Sequence, residues 1–552
     1  MIKKILSLFL AASLCASALV GCTSTPSTTS SDETSSKAPN VSSTTSTSTP
    51  EESTGVTYPI PGGGELTIAF VPHIAQTNQF NSYEDIAFYQ EEQKRTGIDV
   101  EYMQLADNNA LNLLFASGDL PDIIDRYNYG SSYPGGTQKA INDKIIYPIN
   151  DIIEENAPDL YNHLQSNEMW KKASLTPDGD YIGFPFLRES LLGCSGGAGL
   201  IVREEYLEKL GLELPTTPED FKIMLQKMKD ELNVEIPLSI SDDDIKHLLN
   251  DGIVTSAFGL VSSGLHMNDG QIKWGWLEPG AKEAVAFFAD LYASKLLDPN
   301  FSTLDGATKD ANFLNGTSGV TRAFLGAGIR NYLDTGRKND PEFGIKGIPL
   351  FSQPDGKPSF YTKTAYPVSG AFAVITPNAE NKELAAQYLN YAYTDEGQLL
   401  YNYGVEGESY EMVNDVPTYT DYIINNPDGL SMQYALVNYT RMWNDPASIQ
   451  STGYWEQYMG LPEQRQAQDV WSTETAFDHV LLPVTINADY TNELSKLNGD
   501  INTYISEMIS KFLLGSISMD VWDTEFIPTL KEMKIERNLE IRQEAIDEFN
   551  AR

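Results

Sequence analysis

Between residues 66 and 124 the apolar positions fall into short runs separated by longer amphipathic stretches. Leu66–Val71 is a short apolar run, which predicts a strand. Ser82-x-x-Asp85 has the form of a capping box, so a helix is expected through Gln93, with Gly97 as its stop. Ile98–Met103 predicts a second strand, a helix follows through Leu113 and Phe115, and Pro121–Ile124 predicts a third strand. Strand, helix, strand, helix, strand implies an α/β fold with a mostly parallel sheet and helices on its faces. Further along, Thr217 can cap a helix that has Pro218 at its first position and Asp220 in its first turn. Phe221, Met224, Leu225 and Met228 then recur at helical spacing as one buried stripe. Val285, Phe288, Ala289 and Tyr292 repeat that spacing, as do Ala385, Tyr388, Leu389 and Ala392. These stripes are read as core.

The opening of the chain has a different pattern. Lys3 and Lys4 precede an uncharged, mostly apolar run from Ile5 to Val20, too short for a comfortable membrane span and typical of a secretory signal. The run ends in Leu19-Val20-Gly21-Cys22, which resembles the lipobox of bacterial lipoproteins. That resemblance implies a signal over 1–21 and lipidation of Cys22; a diacylglycerol carries the two acyl chains that durable anchoring needs. Residues 22–64 are dominated by Ser and Thr, with Pro26, Pro39 and Pro50, and have almost nothing apolar to bury. Such a segment is expected to be a disordered tether. A flexible chain of about forty residues reaches roughly 35 Å.

Composition narrows the possibilities for the rest. The chain has 552 residues, so about 490 remain beyond signal and tether, enough for two lobes with their own cores. The formal charge is −39, and removing a signal that contains Lys3 and Lys4 takes it to −41. That argues against nucleic acid, whose phosphates require a basic surface, and against simple electrostatic docking on anionic lipid. The three cysteines are Cys15 in the signal, Cys22 and Cys194, so the mature body cannot form an internal disulfide. An exported chain without disulfides fits a Gram-positive surface. The five histidines are scattered without a zinc pattern.

Several phrases together resemble the extracellular solute-binding proteins of ABC importers, the family typified by maltose-binding protein. The match is to its long lipoprotein branch found in Paenibacillus-like and clostridial bacteria. The phrases are Leu113–Ile124 (LLFASGDLPDII), Tyr181–Pro185 (YIGFP), Gly199–Pro215 (GLIVREEYLEKLGLELP), the stretch from Phe372 to Gly397, and Tyr401–Gly407 (YNYGVEG). The resemblance implies a two-lobed, type II binding-protein fold whose lobes are hinge-linked, with ligand in the cleft between them. By analogy the chain crosses more than once: 65–185 with 366–430 form lobe 1, and 186–365 with 431–552 form lobe 2. It further implies a sugar or oligosaccharide ligand, ABC permease subunits as partners, and a lipid-anchored monomer on the outer face of the cytoplasmic membrane. Many relatives carry a calcium loop after the helix that ends here near Lys229. This chain reads Lys229–Ser239 (KDELNVEIPLS) and lacks the oxygen-ligand run and its glycine. Asp310-x-Asn312 begins like such a loop, but Leu314 stands where an oxygen is required. No metal and no cofactor are expected.

Sugars present hydroxyl edges and apolar faces, so a site needs aromatic platforms and side chains that hydrogen-bond. In open α/β sheets these lie beyond the carboxyl ends of strands. His73 and Gln76 follow the first strand, Asp107 and Asn108 the second, and Arg126 and Tyr127 the third. Arg188 lies near the first crossing, Trp274 and Trp276 flank Gly275, Tyr403 and Glu406 lie in a glycine-rich turn, and Trp443 and Trp455 lie in aromatic C-terminal stretches. Each has a structural alternative: a tryptophan is more often core than platform, and an arginine after a strand is more often part of an ion pair.

Three other readings compete. Gly193-Cys194-Ser195-Gly196-Gly197 matches the G-x-S-x-G elbow literally, but Ser195 precedes a strand, not a helix, so a glycine-rich crossing loop is expected there. A lipid-anchored glycoside hydrolase needs two carboxylates across a sugar cleft, and 77 acidic residues offer many pairs. A sensor or adhesin subunit, or a peptide-binding transporter component, shares the same fold. The reading that absorbs the most residues is a carbohydrate-binding protein that does no chemistry on its ligand.

Overall fold

The computed structural model describes residues 55–552 except 129–131, 190–196, 354–355, 358, 361–367, 442–445, 474–476 and 483. Cys22, Cys194, Ser195 and Trp443 lie outside the described residues. Among the described residues there are fourteen strands: β1 (Gly64–Phe70), β2 (Ile98–Gln104), β3 (Ile123–Asn128), β4 (Phe184–Arg188), β5 (Ala198–Arg203), β6 (Ile236–Leu238), β7 (Leu265–Asn268), β8 (Gln271–Trp274), β9 (Ser318–Phe324), β10 (Ile345–Gly347), β11 (Val368–Ile375), β12 (Tyr410–Val413), β13 (Val416–Tyr419) and β14 (Ser448–Gln450).

The first lobe is built on a six-stranded sheet of order β14-β4-β11-β3-β1-β2. β1 runs parallel to β2 and β3, with Ile68 opposite Tyr102 and Ile123, while β11 runs antiparallel between β3 and β4. The second lobe has a four-stranded sheet of order β10-β5-β9-β6. All of β4 and β5 is buried, as sheet covered on both faces requires.

The expected helices form where capping and periodicity agree. The Thr217 hydroxyl accepts from Asp220 N, Pro218 opens the helix Pro218–Leu232, and Phe221, Met224, Leu225 and Met228 are its buried face. Asn233 ends it in the left-handed region at φ 58°. Ser82 caps a short 3-10 turn before the helix Ala87–Thr96, which Gly97 stops at φ 73°. A side chain at Gly97 would also strike Pro59, whose Cβ lies 2.9 Å from the position a Cβ would take. In the helix Ala281–Ala293 the fully buried face is Ala284, Val285, Phe288 and Leu291. Tyr292, expected on that face, is half-buried and packs on Phe301 at 5.3 Å.

Two boundaries differ from those expected. Part of the segment read as tether joins the body: the Ile60 amide bonds Thr96 O at 2.8 Å, and the Tyr58 hydroxyl bonds Gln387 O at 2.6 Å. The apolar trio Tyr58-Pro59-Ile60 interrupts the Ser/Thr composition and finds core to cover. Residues 431–552 are expected in the second lobe, yet β14 pairs parallel with β4 in the first sheet, Ser448 opposite Phe186. Just before it, Asn438 bonds the amides of Ala87 and Phe88. A three-residue strand carries too little periodicity to announce its partner.

The chain therefore passes between the two main sheets twice, between β4 and β5 and between β10 and β11, and leaves the first sheet for the last time after β14. The first and last of these connections lie side by side. Glu189 N donates to Gln450 O at 3.2 Å, and the Glu189 carboxylate accepts from Thr452 N at 3.0 Å. Beyond β14 the helix Pro462–Trp471 packs on β10 and β5. Its Trp471 is fully buried and donates Nε1–H to Ile348 O at 2.9 Å. The long helix Ala488–Leu513 then packs on Ala281–Ala293 of the second lobe and reaches the helix Gly136–Asn142 of the first. Among the described residues no helix is long and apolar enough to cross a membrane.

Candidate ligand site

The carboxyl end of β3 is held by a buried ion pair. Asp125 receives the guanidinium of Arg441, and both side chains are 9% exposed. Arg441 also lies 5.6 Å from the Tyr89 ring and 6.0 Å from those of Phe88 and Tyr401. Beside them Glu92, fully buried, accepts the hydroxyls of Tyr388 at 2.9 Å and of Tyr401. This network ties the strand, the helix Ala87–Thr96 and the segment leading to β14 into one block. Asp125 Oδ1 also accepts the amide of Arg126, which sits at φ 57° and sends Nη1 to Val71 O at 3.1 Å. The ends of β1 and β3 are thereby fixed to each other.

Beyond β3 the chain meets the C-terminal helical layer. Tyr133, Pro134, Gly135 and Gly136 line one wall of a cavity of about 350 Å³. The other wall comes from Val484, Thr485 and Ile486 and from Thr491, Leu494, Ser495 and Asn498 of the long helix. Tyr133 donates to Asp143 at 2.7 Å, and burial, then that bond, pushes its hydroxyl up to about 12. Asn498 also lines a second cavity of about 340 Å³, with Trp274 and Trp276 opposite Asn502, Ile505 and Ile509. No Asp or Glu is among the described residues lining either cavity.

The residues singled out from sequence are dispersed. Trp274 and Trp276 come together at the second cavity; Trp276 also packs on Trp522 at 6.2 Å. His73 Nδ1 accepts from Ala75 N at 3.1 Å at the start of the turn Ile74–Thr77. Gln76 is buried and accepts the Tyr83 hydroxyl. Asp107 caps the helix Asn108–Ser117 through Asn109 N and Ala110 N, both at 2.9 Å. The Ala110 N–H, then Asn109, holds its carboxyl below the usual range. Asn108 is exposed on that first turn. Tyr127 is fully buried 6.5 Å from Phe115. Arg188 ends β4 with its guanidinium 4.8 Å from the Phe186 ring. Tyr403 is buried, bonded to Ser451 Oγ at 3.0 Å just after β14, and burial raises its hydroxyl pKa. Glu406 is exposed in a turn bridged to Tyr410. Trp455 is half-buried on the helix Thr452–Tyr458.

Tyr133, Asn498, Asn502 and Arg542 line the cavities and carried no signal in sequence. Asn498 and Asn502, one turn apart on a long polar helix, look like solvated positions. In the two segments compared above with calcium loops, Lys229 sends its ammonium to Lys295 O at 2.9 Å, and Asp310 accepts the Tyr332 hydroxyl at 2.5 Å.

The chain is 22% identical to the fructooligosaccharide ABC transporter substrate-binding protein FusA of Streptococcus pneumoniae serotype 4, over 90% of this chain and 93% of FusA. It is 24% identical to lipoprotein LipO of Bacillus subtilis, over 59% of this chain and 64% of LipO. The crystal structure of the alginate-binding protein AlgQ2 without calcium ion superposes with a TM-score of 0.71 at 20% identity, covering 90% of this chain and all of that one. Residues 75–399 match the family described as bacterial extracellular solute-binding protein, and the chain belongs to that family.

Proposed function

We propose that this chain is the substrate-binding lipoprotein of an ABC importer, that it captures oligosaccharide at the outer face of the cell membrane, and that it delivers it uncut to permease subunits. The observation that carries the reading is the cavity whose walls come from both lobes, the loop after β3 on one side and residues 484–498 on the other. A site completed by two hinged bodies favours capture by closure. FusA and AlgQ2 are named for fructooligosaccharide and alginate, and LipO as a lipoprotein, which supports a sugar ligand and anchoring through Cys22. A glycoside hydrolase would require two carboxylates flanking the bound sugar. Neither of the two cavities bordered by the long helix has one among its described lining residues.

The test is thermal unfolding of the compact unit from Thr54 onward against a panel of oligosaccharides, with peptides as controls and the glycans recovered afterwards. A ligand that binds only the folded state raises the midpoint, by about 2.7 kcal/mol of stability at a hundred times its dissociation constant. A shift with one glycan class, recovered intact, is expected. Shortened glycan, or shifts with peptides alone, would overturn the reading. For the anchor, Cys22→Ser is expected to release the protein into the medium, and retention at the membrane would contradict it.

A further inference from the structure

The second cavity has a chemistry of its own. It is lined from one side by Trp274, Trp276 and Leu265, and from the other by Asn498, Asn502, Ile505, Ser506 and Ile509, which share one face of the long helix. Arg542 of the C-terminal helix Ile535–Ala551 completes it. The Arg542 guanidinium is held by neutral groups: Nε donates to Asn538 Oδ1 at 2.8 Å and Nη2 to Asn498 Oδ1 at 3.2 Å. No described carboxylate pairs with it, and burial depresses its pKa. Asn538, fully buried, donates to the same Asn498 oxygen at 2.7 Å, so the arginine is oriented by a fixed pair of amides. The other cation of the lining, Lys246, is paired with Asp242 at 2.6 Å.

A chain carrying 77 acidic residues against 38 basic ones thus keeps acids out of this cavity and places in it an arginine without counter-charge. A cation withdrawn from water without an anion costs free energy that a bound carboxylate would recover. Arg542 Nη1 makes no hydrogen bond to a described residue, and the Asn502 side chain makes none either, so donors remain for a ligand. The tryptophans and isoleucines suit a ring body, and the amides and Ser506 suit hydroxyls. A volume of about 340 Å³ lies at the small end for ligand pockets and has room for a single ring.

We infer that the Trp274–Trp276–Asn502–Arg542 cavity is a binding site for a small hydroxylated ring carboxylate, the chemistry of a hexuronic acid, with the carboxylate on Arg542 and the ring against the tryptophans. This site is separate from the one assigned to oligosaccharide, although Asn498 borders both.

The experiment titrates the unit from Thr54 with sodium glucuronate, with glucose as the neutral counterpart and benzoate as a carboxylate without hydroxyls, reading the thermal midpoint and tryptophan fluorescence. Glucuronate is expected to raise the midpoint saturably and to change the fluorescence, with glucose and benzoate weaker by about tenfold or more. Arg542→Gln is expected to weaken glucuronate by at least about tenfold. Asn502→Phe, which fills the cavity and leaves the Arg542 hydrogen bonds in place, is expected to abolish the response. No response of the wild type, equal responses to glucose or benzoate, or a response surviving in either variant would overturn the inference. The oligosaccharide panel reads out independently, so either assignment can fail alone.

Discussion

At the scale of single residues, charge buried in the first lobe decides what can be changed. Arg441 and Asp125 are each 9% exposed, so removing one strips the other of its close ion-pair partner in a low-dielectric interior. Arg441→Met is expected to cost about 3–5 kcal/mol in urea unfolding. The double variant with Asp125→Asn should recover part of that loss, and an additive double variant would show that the pair is not coupled. Glu92 gives a pH signature. Burial holds its carboxyl above its ordinary 4.5, against the opposing field of Arg441. A carboxyl whose folded pKa exceeds its unfolded one binds its proton more tightly when folded. Its stabilisation is full below the unfolded value and is lost as pH rises through the folded value. The wild type should therefore lose stability relative to Glu92→Gln as pH rises above about 4.5. A pH-independent difference between the two unfolding curves would contradict this.

At the scale of elements, caps and stripes were legible and the partner of a short strand was not. The helix Pro218–Leu232 starts and ends where Thr217, Pro218 and the stripe ending at Met228 require, because its signals are local. Thr217→Ala should cost about 1 kcal/mol, read as a fall in the urea midpoint at constant slope. The first three strands and their helices fall within about four residues of expectation for the same reason. β14 could not be placed from Ser448–Gln450, since three residues take their partner from the tertiary fold. Gly199 illustrates the same limit. A Cβ there would run into the indole of Trp471, a residue 272 positions away that no local pattern connects to it. Gly199→Ala is expected to destabilise by about 1–3 kcal/mol, as overpacking does, and Trp471→Leu in the same chain should relieve part of it.

At the scale of the molecule, the two-lobed architecture could be seen in advance through the family phrases, whereas the cavity walls could not. The sequence leads one to expect aromatic platforms at the cleft, and Trp274 and Trp276 do line a cavity. The walls facing them and facing Tyr133 come from one helix whose Asn498 and Asn502 resemble ordinary surface residues. Their importance arises from the long helix spanning from the second lobe to the helix Gly136–Asn142 of the first, a contact no periodicity encodes. We propose that oligosaccharide is held where the loop after β3 meets that helix. The most direct measurement is calorimetric titration of the glycan that stabilises the wild type, repeated on Tyr133→Ala. Binding in the wild type and a loss of about tenfold or more in the variant, roughly 1.4 kcal/mol, is the predicted result. Unchanged affinity in a folded Tyr133→Ala protein, or no glycan bound by the wild type, would contradict it.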